Sequence, residues 1–233
     1  NGTQTATGVG NEVVGNYATL NPLAKGADCT LSNGNLDFAY GTSTTRGACM
    51  ATFGMSSGKW YWEITLTASS VSEYSPTLFS GITNTTSVSS VGDYVGKTAS
   101  GWGYYSSSGA IRNNQSDLLT VSTYGVGDVI GYAFDADNGK FYVSKNGTWQ
   151  NSGNPAAGSG AVVSSLPAGT YFPAVSDGGG TETFSASANY GQRAFAYAAP
   201  SGYKSLNTAS LPTPTIADGS QYFDTKLYTG TGS

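Results

Sequence analysis

Between Gly58 and Thr67 the side chains alternate with period two: Trp60, Trp62, Ile64 and Leu66 on one side, Tyr61, Glu63, Thr65 and Thr67 on the other. Successive side chains of an extended backbone point to opposite sides, so this pattern predicts a strand that buries one face. At least one of the two tryptophans is assigned to a core. A second stretch, from Gly127 to Gly147 (GDVIGYAFDADNGKFYVSKNG), sets the β-prone runs 129–134 and 141–143 around Asp135 to Gly139. Asn138 and Gly139 there offer the positive φ angles of a tight hairpin turn. Lys145 to Gly147 turns the chain again.

Other runs fall into order around these two. Gly81 and Ile82, then Gly101 to Tyr104 (GWGY), lie between them; Tyr171 to Val175 (YFPAV) and Asn189 to Phe195 (NYGQRAF) follow. Taken together the motifs resemble the SPRY family, also called B30.2 when it carries an N-terminal extension. Its pattern runs G-K-x-Y-W-E-V, G-D-x-I-G, a hairpin D-x-x-x-G-x-x-x-x-x-x-N-G, Y/F-P-A-V and N-F-G-Q-x-P-F. The resemblance covers roughly Leu20 to Leu206. It implies an all-β fold, a bent antiparallel β-sandwich of the concanavalin A-like type, with almost no helix.

Composition agrees with that class. The chain has 33 glycines, 16 tyrosines and only 10% charged residues, with no heptads and no long stretch of helical period. Its 233 residues suffice for one large domain burying roughly 70–75% of its unfolded surface. A net charge of −4, with ten scattered basic residues, argues against nucleic acid, whose binding draws on clustered Lys and Arg. There is no apolar run of membrane-spanning length, so no membrane insertion is expected.

The domain is expected over residues 17–206. Residues 1–16 read as a linker or edge segment, and residues 207–233 as a Pro/Thr/Gly-rich linker leading into the start of a truncated following segment. Such joints are similar to those in multidomain phage and prophage structural proteins that carry SPRY-like modules. That likeness implies a virion component such as a tail fibre, extracellular when exposed and in the host cytoplasm during assembly, with homo-oligomers formed through neighbouring domains.

Histidine is absent, which removes Ser-His-Asp and Cys-His nucleophilic mechanisms and histidine-ligated metals. No strand carries paired carboxylates at alternate positions. Glu63 stands alone, Asp177 and Glu182 flank a triple glycine read as a loop, and Asp135 and Asp137 sit where Asp commonly bonds its own turn. Neither an enzyme nor a cofactor or metal is expected. Cys29 and Cys49 read either as two small buried thiols or as one bridge between neighbouring strands.

Binding is therefore expected at sandwich-edge loops, in the intervals 84–94, 104–115, 149–165 and 176–183. The candidate ligand-binding residues are Asp93, Tyr94, Tyr105, Arg112, Asn113 and Trp149, which combine flat apolar faces with fixed donors. Arg112 and Asn113 read more readily as solvated turn residues than as ligands, and Trp149 reads equally as packed against the sandwich. The expected partner is a host-surface glycan or protein. Resemblance to peptide-binding SPRY domains adds a short peptide and an adaptor role; a structural spacer or capsid decoration domain is the third reading.

Overall fold

The computed structural model describes residues 15–42, 47–71, 77–84, 94–211 and 229–230. Fourteen strands follow one another among the described residues. They are β1 (Leu20–Lys25), β2 (Cys29–Ser32), β3 (Asp37–Tyr40), β4 (Ala48–Ala51), β5 (Lys59–Ser69), β6 (Leu78–Thr83) and β7 (Gly101–Tyr105). Then come β8 (Ala110–Asn113), β9 (Ser116–Thr120), β10 (Val129–Asp135), β11 (Lys140–Lys145), β12 (Thr148–Trp149), β13 (Phe172–Asp177) and β14 (Phe184–Asn189). The one helical element among the described residues is a three-residue 3-10 turn, Thr208–Ser210.

Two seven-stranded antiparallel sheets result, in the orders β1-β4-β13-β6-β7-β8-β9 and β12-β11-β10-β5-β14-β3-β2. Alternation decides which residues lie between them. Leu78, Ser80 and Ile82 of the first sheet face Trp60, Trp62, Ile64 and Leu66 of the second across one core. Both tryptophans are therefore inside: the Trp62 ring stacks on Tyr132 at 5.2 Å and 16°, and Trp60 meets Phe53 edge-on at 5.0 Å. The polar exceptions satisfy one another, since the buried Ser80 hydroxyl bonds those of Tyr124 and Tyr132.

The turns follow their residues. Asp135 pairs with Lys140 across the β10–β11 turn, where only Gly139 takes a positive φ (60°), rather than both Asn138 and Gly139. Asp135 holds that turn by accepting from the Asn138 backbone N–H and side-chain amide at 3.1 and 2.9 Å, with Lys59 at 3.3 Å. Asn146 and Gly147 do both take positive φ, the geometry of a two-residue type I′ hairpin between β11 and β12. At the two ends of the domain, Ala18 N–H donates to Leu206 and Thr208 N–H to Asn16.

One expectation changes. The β5 strand was expected to bury a single face, yet Tyr61 and Glu63 on its second face are 1% and 2% exposed. The segment after β14 returns over the outer side of the second sheet and covers them. Phe195 meets Tyr61 edge-on at 4.8 Å, and Tyr203 joins the same cluster. Asp177, read as a loop residue, ends β13 and is fully buried.

Candidate interaction surface

The outer side of the first sheet is built differently. Register places Phe79 opposite Tyr105 and Gly103 opposite Arg112, so these three side chains share one face of neighbouring strands β6, β7 and β8. Phe79 and Tyr105 stack nearly parallel at 4.2 Å and 2°, and Tyr94 stacks on the other flank of Phe79 at 4.5 Å. The Arg112 guanidinium carbon lies 5.7 Å from the Phe79 and Tyr105 ring centres and 6.0 Å from that of Tyr94, within cation–π range. Phe79 is buried beneath this group, while Tyr94, Tyr105 and Arg112 stay half-buried.

Arg112 Nε donates to Asp117 Oδ1 at 2.6 Å across the β8–β9 hairpin, and the Asp117 side chain is 47% exposed. That carboxylate, helped by the Tyr94 hydroxyl and opposed by partial burial, raises the already high pKa of the guanidinium. It is a permanent cation.

A segment from Tyr94 to Ser100 lies against this face. A Cβ added at Gly103 would stand 2.1 Å from the Val95 carbonyl oxygen, so only glycine admits the segment at that distance. Val95 N–H donates to Ser176 Oγ at 2.9 Å. Asn113 closes the end of the segment, its amide reaching the carbonyls of Gly101 at 2.7 Å and Ala99 at 3.2 Å.

The six sequence candidates therefore separate. Tyr94, Tyr105 and Arg112 come together, Asn113 supports them from behind, and Asp93 lies outside the described residues. Trp149 is elsewhere: it packs on the outer side of the second sheet, edge-on to Tyr61 at 6.3 Å and Tyr142 at 6.5 Å. Tyr105, Arg112 and Asn113 belong to strands β7 and β8 rather than to an edge loop, because the interval 104–115 is itself a hairpin whose Tyr104 and Ile111 point inward. Arg112 and Asn113 are not solvated turn residues. The turn is at Asn114 and Gln115, which carry the positive φ angles.

Sequence reasoning missed Phe79 and Asp117. Asp117 had a signal: a two-residue turn at Asn114 and Gln115 brings it across from Arg112. Phe79 had none, since its whole strand is apolar or small and buried.

The SPRY domain family model matches residues 59–192, more than half of the chain. The chain belongs to the SPRY family. Among solved structures it is similar to the SPRY domain of human HERC1, with 19% identity and a TM-score of 0.60 over 73% of this chain and 96% of that one. A second human SPRY domain matches at 16% identity and a TM-score of 0.51, covering 70% of this chain and 94% of that one. Identities this low speak for the fold alone. No curated protein matches the chain. SPRY domains are generally protein-interaction modules without catalytic activity.

Proposed function

We propose that this SPRY domain is a binding module that takes a short protein segment on the outer side of its first sheet, with Arg112 as the central donor. The observation that carries the reading is the guanidinium spread over Phe79, Tyr94 and Tyr105 with a half-exposed Asp117 as its carboxylate partner. An incoming acidic side chain replaces or shares Asp117's place on Arg112, and the rings of Tyr94 and Tyr105 receive apolar contacts beside it. Aromatic and arginine side chains held in fixed positions are the anchors typical of protein recognition sites.

A host-facing role on a phage virion, such as a tail fibre, is the second reading. Low charge and Thr/Ser/Gly-rich flanks support it, and repeated copies raise avidity by roughly 10²–10⁴. The same face then contacts a host glycan or protein.

Selection from a displayed library of short peptides, followed by calorimetric titration of the hits, tests the first reading. Arg112→Ala is expected to weaken a hit tenfold or more, since truncating a hydrogen-bonded charge loses about 1.5–3 kcal/mol, and Tyr105→Ala is expected to weaken it through the lost ring contact. Hits that bind Arg112→Ala as well as the parent overturn it. A glycan array probed with a multivalent display of the domain separates the second reading from the first.

A further inference from the structure

Cys29 and Cys49 are the only cysteines of the chain, twenty positions apart, and the interaction surface uses neither. They lie in different sheets. Cys29 opens β2, the edge strand of the second sheet, and Cys49 is the second residue of β4 in the first. Both are buried, at 1% and 0% exposure, in the same core.

Two independent struts bring them together. Cys29 pairs directly with Tyr40, whose hydroxyl crosses to the Val175 carbonyl at 3.3 Å, and Val175 pairs directly with Cys49. On the other side Lys25 pairs with Cys49 in the β1–β4 ladder while its ammonium donates to the Cys29 carbonyl at 2.7 Å. Between these two struts the Cys49 thiol donates to the carbonyls of Met50 at 3.8 Å and Asn21 at 3.9 Å. We infer that Cys29 and Cys49 are a poised dithiol that oxidises to a cystine stapling the two sheets together at their β1/β2 edge.

With a low-molecular-weight disulfide as oxidant, the thiolate of either cysteine takes one of its sulfurs into a mixed disulfide and expels the other as a thiolate. The second cysteine then gives up its proton and attacks the first, expelling the second thiolate. Two protein thiols are oxidised to one cystine, the oxidant is reduced to two thiols, and the two protons end on them.

Burial of both sulfurs bars a bulky oxidant from the closed sandwich, so the exchange belongs to folding, before the sheets meet. Refolding the full reduced chain in a glutathione redox mixture, quenching with acid, and alkylating under denaturing conditions reads the result by peptide mass. The expected product is a monomer with no alkylatable thiol and a Cys29–Cys49 linked peptide pair. Its Tm should exceed that of the fully reduced protein by roughly 5–10 °C, as expected for a loop of this length in a domain of this size. Cys29→Ala and Cys49→Ala should each abolish the rise. Free thiols, cysteines blocked only by glutathione, chain dimers, or an internal link that lowers the Tm would each overturn the inference, and these outcomes are read on the parent protein even if a variant fails to fold.

Discussion

The two outer sides of the sandwich carry similar residues and are finished in opposite ways. On the second sheet Glu63 is buried, and its carboxylate accepts from the Tyr61 hydroxyl at 3.0 Å and from the Ala196 and Tyr197 backbone N–H groups at 2.9 Å each. Those two N–H groups belong to the returning segment, so the carboxylate pins a lid of chain over Tyr61, Tyr142 and Ala133. On the first sheet the charged residue is Arg112, and what answers it is an exposed aspartate and the faces of aromatic rings. A buried acceptor filled by backbone donors closes a surface, because any exchange for a ligand would orphan amides. A guanidinium with an exposed partner leaves one open.

Removing each charge breaks the comparison at its strongest point. Glu63→Ala leaves two backbone donors and the Tyr61 hydroxyl without their acceptor, and should destabilise the domain by about 3 kcal/mol, or roughly 6–12 °C in Tm. Limited proteolysis should then cut first between residues 194 and 204. A variant that melts normally and resists cleavage there would show that ring packing alone holds the lid. The corresponding clamp on the first sheet is Asn113. Asn113→Ala should lose about 1 kcal/mol and raise amide exchange at Gly101, with the second sheet's lid unchanged. Equal protection in parent and variant would remove Asn113 from its supporting role.

How much of this was legible in the chain depends on sequence distance. The β5 alternation and the Asp135 to Gly147 stretch announce strands and turns whose determinants are a few residues apart, and the inward faces follow from period two. The Glu63 clamp was not legible, because its partners are main-chain amides 133 and 134 residues away, which no side-chain pattern marks. Turn-forming composition also points away from the site. The interval 104–115 is rich in Ser, Gly and Asn, yet it folds as a hairpin, and its binding candidates are strand residues on one face. What assembles Phe79, Tyr105 and Arg112 is sheet register, visible only once β6, β7 and β8 are aligned.

A second buried carboxylate sharpens the contrast. Asp177 accepts from the Thr77 hydroxyl through Oδ1, but its Oδ2 is buried with no hydrogen-bond partner among the described residues. Burial raises its pKa, and the charges of Asp28 and Glu182 add to that, opposed by its hydrogen bonds. A raised folded pKa means the native state binds the proton more tightly than the unfolded chain. Stability from this group therefore grows as pH falls from the raised value toward 3.8 and is absent at neutral pH. Asp177→Asn should accordingly raise stability by about 1 kcal/mol at pH 7, with the gain shrinking as the parent's carboxyl protonates. Thermal melts of both proteins between pH 7 and pH 4 check this, and a loss of stability at pH 7 would mean that the ionised form is the one the fold requires. Glu63→Gln should instead lower stability, because an amide nitrogen cannot accept from the donors that a carboxylate oxygen holds.

Arg112→Ala should be the quietest of these changes in the free domain. Its ion pair reaches an exposed carboxylate, a class of contact worth about 0–1 kcal/mol, and its cation–π contribution at a half-exposed position is about 0.5–1 kcal/mol. Tm is expected to fall by at most a few degrees. Binding should respond in the other direction of scale, because a ligand that has displaced water from the guanidinium loses a charge-assisted hydrogen bond that the free domain never needed. Lysine at this position keeps the charge but not the planar contact with Tyr94 and Tyr105, so Arg112→Lys should hold less than half of the lost binding energy. If Arg112→Ala instead unfolds the domain as Glu63→Ala does, the residue is a clamp like its counterpart, and the outer side of the first sheet is as closed as that of the second.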